Sequence, residues 1–223
     1  MTASSQIRHA SFTASDGVEI AYSHSGVDGP LAVFVHATGF SKELCDPIVS
    51  DVKELVPGFR SVAIDQRAHG DSGVPAPPYD WWDVGRDIVE LAAERTQIIG
   101  VGHSAGGAAL VLAELIRPGL FSSLVLVEPI IFPPPYGRYP ENPMSAAALR
   151  RRPWFASRQS AYDNFMSKPA FAGWQDRAMR AYVNGGLIET DDGFELKCSP
   201  QAEAEFFMAA TDHGAWDRLN EVE

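Results

Sequence analysis

The chain is predicted to be of the α/β class, with one mainly parallel sheet, helices on both faces and a helical lid inserted late in the sequence. Three observations lead there. Short apolar runs at Leu31-Ala32-Val33-Phe34-Val35, Ser61-Val62-Ala63-Ile64, Ile98-Ile99-Gly100-Val101 and Leu124-Val125-Leu126-Val127 read as strands buried on both sides, and stretches of helical character separate them. Strands alternating with helices form βαβ units, hence parallel pairing. One of these strands stops at glycine, turns on a single serine and continues at once as a small-residue helix, through Gly102-His103-Ser104-Ala105-Gly106-Gly107. Beyond Glu128 the rhythm breaks at Pro133-Pro134-Pro135, and the chain turns aromatic.

In order, Ile7 to Phe12 and Val18 to Ser23 alternate about a turn at Asp16-Gly17, which predicts an antiparallel hairpin. The strand at 31–35 follows and ends in His36-Ala37-Thr38-Gly39-Phe40. A helix is expected from Ser41 to Leu55, then the strand at 61–64, which ends in Asp65-Gln66-Arg67-Ala68-His69-Gly70-Asp71-Ser72. A loop rich in proline, Pro75 to Pro78, leads to a helix starting near Asp80 with Val84, Ile88 and Leu91 on one face. The serine strand comes next, its helix runs to about Ile116, and the strand 124–127 ends in Glu128-Pro129. Helices are then expected at 146–152, 154–167, 171–184 and 200–210, with a short hairpin at 187–196. Their aromatics, among them Trp154, Phe165, Trp174, Tyr182 and Phe206, either line the face over Ser104 or hold the lid together. The domain reading is a core over 1–132, a lid over 133–210 and the start of a return helix over 211–223.

Composition narrows the function. With 45% hydrophobic and 21% charged residues, the 223-residue chain is ordinary globular material, long enough for one substantial core. A net charge of −11 argues against nucleic acid or an anionic membrane as partner, since both need a basic face. The start, Met1 to Gln6, lacks the basic and apolar regions of a leader, and no apolar run is long enough to span a bilayer, so a cytoplasmic location is expected. Cys45 and Cys198 lie far apart without metal-ligand spacing, which predicts reduced thiols and no metal or cofactor.

The stretch 102–106 matches the Gly-x-Ser-x-Gly nucleophile elbow. Such a turn strains the serine backbone, and a side chain at Gly102 or Gly106 would strike a neighbouring element. The serine hydroxyl is lifted clear of the sheet, and the Ala105 amide, in the first helical turn, points at an oxygen bound beside it.

With this elbow in place the chain resembles the α/β-hydrolase superfamily, and two further loops carry the likeness. His36-Ala37-Thr38-Gly39-Phe40 is similar to the family's His-Gly loop, with alanine at 37 where glycine is usual. Asp65 to Ser72 resembles its Asp-x-Arg-Gly-x-Gly-x-Ser loop, with Ala68 in a usual glycine position. The resemblance implies the α/β-hydrolase fold, an oxyanion hole made of the Thr38 and Ala105 amides, and a scaffold role for Asp65, Arg67 and His69. It further implies nucleophilic attack by Ser104 on an ester or related acyl substrate, with His36, Gly39, Phe40 and His103 around that substrate. Serine at the elbow argues against haloalkane dehalogenase or epoxide hydrolase chemistry, which uses aspartate there; cofactor-free haloperoxidases share the serine.

An acid and a histidine base are also implied, the family order being serine, acid, histidine. Glu128, at the end of the sixth strand, is the candidate acid or else a strand-end carboxylate satisfied by backbone or solvent. His213 alone has the right chain order for the base, yet sits where the lid closes. The family's last two strands are expected to be absent, because two more βα units need roughly 50 residues. Two readings follow: a serine hydrolase impaired by a missing acid/base segment, or a non-catalytic binding or partner-completed module using the lid pocket. An open sixth strand also predicts self-association through its edge.

Overall fold

The computed structural model describes residues 6–26 and 28–222; residues 1–5 of the stretch read for a leader lie outside them. Strands β1 (Arg8–Thr13) and β2 (Glu19–Ser25) form the expected antiparallel hairpin. Its turn closes through the Gly17 amide on the Ala14 carbonyl at 2.8 Å, with Gly17 at φ +91°, where a side chain would be strained. β3 (Leu31–Val35), β4 (Arg60–Ile64), β5 (Ile98–His103) and β6 (Phe121–Val127) then build a parallel array. The order across the six-stranded sheet is β1-β2-β4-β3-β5-β6, with β2 antiparallel to β4. β6 is therefore an edge, and no described strand pairs with its outer side.

Helices cover both faces. α2 (Trp81–Ala92) starts where Asp80 accepts the Trp82 amide at 2.9 Å, and α3 (Ala105–Ile116) follows Ser104. Both pack on one side, where Gly85 lets α2 close on α3: a Cβ there would sit 3.0 Å from Leu112 Cβ. Eleven of the twelve α3 residues are buried, which explains why that helix is apolar on every side except at Glu114, whose carboxylate accepts the Gly119 and Phe121 amides. On the opposite face Val49 of α1 (Asp46–Leu55) joins Ala32, Phe34, Phe59 and Ala63. The single helix expected from Ser41 is divided: Lys42–Cys45 is a 3-10 turn, and α1 begins at Asp46 with Pro47 in its first turn. Proline cannot donate to the preceding turn, so it opens a helix rather than continuing one.

β6 starts three residues earlier than the apolar run suggested, because Phe121 pairs with Ile98 ahead of a bulge in the ladder. Val125 and Val127 remain half exposed. The later region contains α4 (Pro143–Ala148), β7 (Trp154–Phe155), α5 (Arg158–Met166), α6 (Asp176–Gly186), β8 (Leu187–Thr190), β9 (Gly193–Leu196) and α7 (Pro200–Met208). The expected hairpin at 187–196 forms, and β7 adds to it as a third antiparallel strand where the start of a helix was expected. A Ser157 capping box delays α5 to Arg158 and frees Trp154 and Phe155 for pairing. Phe155, Phe165, Phe171, Trp174 and Tyr182 pack on one another, so these aromatics hold their own layer together. Phe206 instead packs on Tyr79 and Trp81, and the 3-10 turn Ala215–Glu221 stands in place of the expected return helix. Among the described residues no helix is long and apolar enough to cross a membrane.

Candidate active site

Parallel pairing brings the two loops that matter to one edge. Val35, the last residue of β3, pairs with Gly102 of β5, so the loop 36–40 and the turn at Ser104 leave the sheet side by side. The turn needs its glycines. A Cβ on Gly102 would lie 2.6 Å from the Gly106 carbonyl oxygen, and one on Gly106 would strike the Val35 and His36 carbonyls. Ser104 itself has φ 55° and ψ −117°, a conformation that L-residues rarely hold without surrounding constraint. The constraint is visible: its amide donates to the Val127 carbonyl at 2.9 Å, and its own carbonyl accepts the Gly107 and Ile130 amides at 3.0 and 3.2 Å.

Ser104 is partly exposed. Among the described residues nothing hydrogen-bonds its hydroxyl, and the amides of Thr38 and Ala105 likewise have no partner. Ala105 opens α3, where an unpaired N–H and the helix dipole favour negative charge. Thr38 lies inside a turn closed by the Phe40 amide on the Ala37 carbonyl at 3.2 Å, with Gly39 at φ +82°. Ala37 does not take a positive φ, so alanine in that glycine position costs no backbone strain; Ala68 does, at φ 60°.

Three of the histidines, His36, His69 and His213, are held by bonds within the protein. His36 is buried, donates from Nδ1 to the Ala37 carbonyl at 2.8 Å and accepts the Gln66 amide at Nε2 at 3.1 Å. Burial pushes its pKa down to about 4, so it is neutral and both nitrogens are engaged. His69 donates from Nδ1 to the Arg67 carbonyl at 2.8 Å; burial, then the nearby His36, push it down to about 3. His213 donates from Nε2 to the Ile130 carbonyl at 3.0 Å, accepts the Ala215 amide at Nδ1 at 3.2 Å and stacks on Trp81. It is therefore not the base its chain order suggested. His103 is exposed beside the turn. Glu128 follows Val127 directly, is exposed at φ 48°, and its charge acts on His103.

The loop after β4 carries buried ion pairs. Buried Asp65 accepts the Lys42 amide and Nζ, both at 2.7 Å, and the Asp71 amide at 2.9 Å. Arg67 grips Asp87 with two bonds of 2.6 and 2.7 Å and also holds Asp16. Both cysteines are buried free thiols, and burial raises both pKa values.

Two residues that sequence reasoning missed, Arg151 and Glu203, come from the later region, as does Tyr182, which the sequence offered only as one of the lid aromatics. Glu203 of α7 and Arg151 lie against Gly39, and Tyr182 of α6 packs on Phe40 with ring centroids 4.9 Å apart. Arg151 binds both Glu203 and the Tyr182 hydroxyl. No local pattern connects Arg151 and Glu203 to Gly39, so no sequence signal was there to find that pair.

A mainly parallel sheet with helices on both faces and a strained serine between β5 and α3 defines the α/β-hydrolase class. The profile of the alpha/beta hydrolase family matches residues 32–221, and the chain belongs to that family. It is 27% identical over 169 residues to the peroxisomal membrane protein LPX1 of Saccharomyces cerevisiae, covering 62% of this chain and 43% of that one. It is 28% identical over 169 residues to the type I acyl-CoA thioesterase mpaH of Penicillium roqueforti, covering 68% of this chain and 38% of the relative. The chain thus spans about two fifths of the length of these relatives. Among solved structures, E-2-(acetamidomethylene)succinate hydrolase superposes with a TM-score of 0.75 at 21% identity, over 92% of this chain and 74% of that one.

Proposed function

We propose that the chain carries the nucleophile and oxyanion hole of a serine hydrolase acting on an ester or related acyl substrate. The observation that supports this best is the strained Ser104, since φ 55° at a non-glycine residue persists only where its surroundings impose it. In the proposed reaction Ser104 Oγ adds to the acyl carbon while its proton passes to an imidazole-type base that a partner or the solvent must supply, and from it to the departing alcohol or thiol, and the carbonyl oxygen takes up negative charge. The Thr38 and Ala105 amides hold that charge, and the leaving group departs to give an acyl-enzyme that water hydrolyses. Glu128 is the candidate acid, at the end of the strand that anchors the Ser104 amide. Gly39, Phe40 and His103 border the substrate in this reading, with residues 133–210 as the lid, whereas His36, expected beside the substrate, is buried behind the loop with both ring nitrogens bonded within the protein. The hydrolase and thioesterase names of relatives support acyl chemistry as the class.

A second reading rests on a different observation: no imidazole reaches the Ser104 hydroxyl among the described residues. The chain then binds ligand without turning it over, or acts once a partner supplies the base. Losing the base leaves only a small fraction of triad activity, because an unassisted hydroxyl is a weak nucleophile. Phosphonylation by a fluorophosphonate, followed by mass spectrometry with and without added imidazole, separates the two. Adduct at Ser104 that imidazole accelerates, and that Ser104→Ala abolishes, supports the catalytic reading. No adduct under either condition sinks it.

A further inference from the structure

We infer that Arg151 and Glu203 are positioning residues for the oxyanion loop, holding the turn that carries the Thr38 amide. The inference rests on the oxyanion role proposed above for Thr38. It starts at Gly39, whose positive φ of 82° turns the chain so that its Cα faces α7. The space a side chain would need is filled by the ion pair: a Cβ on Gly39 would meet Glu203 Oε1 at 2.6 Å and Arg151 Nη1 at 3.1 Å. Glu203 is only 8% exposed, so its carboxylate bears on Gly39 with little water between.

The same network holds the next residue. Arg151 donates to the Tyr182 hydroxyl, and Tyr182 presses edge-on against Phe40, whose ring centroid also lies 5.5 Å from that of Trp174. Ser145 Oγ donates to the Ala204 carbonyl at 2.8 Å, tying α4, and the Arg151 that follows it, to α7. Three separate elements thus converge on two consecutive residues of a four-residue turn, and Thr38 lies immediately before them. A buried ion pair is a weak source of net stability, because desolvation offsets its attraction, whereas its directional bonds restrict position well. An oxyanion donor needs that restriction: it must lie about 2.7–3.1 Å from the developing charge, and a drift of about 1 Å can lower a rate by about two orders of magnitude. The later region is therefore a strut for the catalytic loop at this point as well as a cover.

The turn has its own reporter, the Phe40 amide bonded to the Ala37 carbonyl. Amide exchange in the full chain, followed by NMR for wild type, Glu203→Gln and Arg151→Lys, reads it without requiring turnover. Glu203→Gln is expected to speed Phe40 exchange by about tenfold or more, while Leu110 to Leu112 in α3 stay within about twofold. Arg151→Lys, which keeps the charge, should recover part of that protection. Phe40 exchange within about twofold of wild type in folded Glu203→Gln overturns the inference, as does equal acceleration of α3. Should Glu203→Gln not fold, Tyr182→Phe removes only the hydroxyl partner, and unchanged Phe40 exchange in that variant is equally fatal. Fluorophosphonate labelling in imidazole adds the chemical readout: the inactivation rate constant falls about tenfold while reversible binding holds. If wild type is never labelled, the nucleophile reading fails, and the exchange data still decide whether the strut exists.

Discussion

The amide of Ser104 donates to the carbonyl of Val127 at 2.9 Å, which fastens the strained turn after β5 to the last residue of β6. The hydroxyl proposed as nucleophile and the carboxylate proposed as acid thus leave adjacent strand ends, one residue apart from a shared bond. Strain at Ser104 is sustained by that neighbour, not by the turn alone.

Relieving the strain should therefore stabilise the chain. Ser104 has the backbone angles that glycine takes readily at the first central position of a type II′ turn. Ser104→Gly is expected to be about 1 kcal/mol more stable than Ser104→Ala in chemical denaturation, with no phosphonate adduct in either. Equal midpoints would show that the turn is not strained.

Crowding it should do the reverse. An alanine at 106 would press its methyl group into the Val35 and His36 carbonyls, which belong to backbone that has no room to move. Gly106→Ala is expected to cost about 1–3 kcal/mol, a fall of several degrees in thermal midpoint for a chain of this size. Gly119→Ala, where a Cβ meets nothing within 4 Å, controls for open space, although its φ of 76° carries a local strain of its own.

His69 makes a pH prediction with a definite sign. Its folded pKa of about 3 lies below the ordinary histidine value of 6.5, so the unfolded chain takes up a proton that the folded chain refuses. Its contribution is complete above pH 6.5 and is lost as pH falls from there toward 3. Burial raises Asp46 and Asp87 to about 6, which acts in the opposite direction, so the comparison must be between variants. Urea unfolding at pH 7 and pH 5 should show His69→Gln losing less stability than wild type over that interval, by about 1 kcal/mol or more. An identical loss in both proteins would place the proton elsewhere.

The outer edge of β6 leads to a fourth expectation, that copies of the chain associate. Phe121–Val127 has no charge or proline along its length, and Val125 and Val127 are half exposed. Sedimentation should show mass rising with concentration, and Val125→Lys should shift the population toward monomer. A wild-type chain that stays monomeric from micromolar to millimolar concentration contradicts this.

Much of the core was legible because its signals are local. Continuous apolar runs mark strands covered on both faces, and the spacing of Gly102, Ser104 and Gly106 states a steric requirement that the carbonyls of Gly106, Val35 and His36 then impose. Prolines and caps moved boundaries: Pro47 divided the helix expected from Ser41, and the Ser157 box left Trp154 and Phe155 to pair with Phe194 and Glu195. His213 shows where chain order misleads. It reaches the loop after β6, yet a carbonyl and an amide already occupy both ring nitrogens.

The sequence alone determined the class of fold, the serine turn and the departures at Ala37 and Ala68, since each depends on neighbours a few residues apart. Only the tertiary structure decided that Ala68 accepts a left-handed backbone while Ala37 escapes one, that His36 is neutral and engaged, and that Glu203 and Arg151 bear on Gly39. The reason is range. Periodicity and turn chemistry act along the chain, whereas desolvation and ion pairing depend on which distant segments fold back onto the same few atoms.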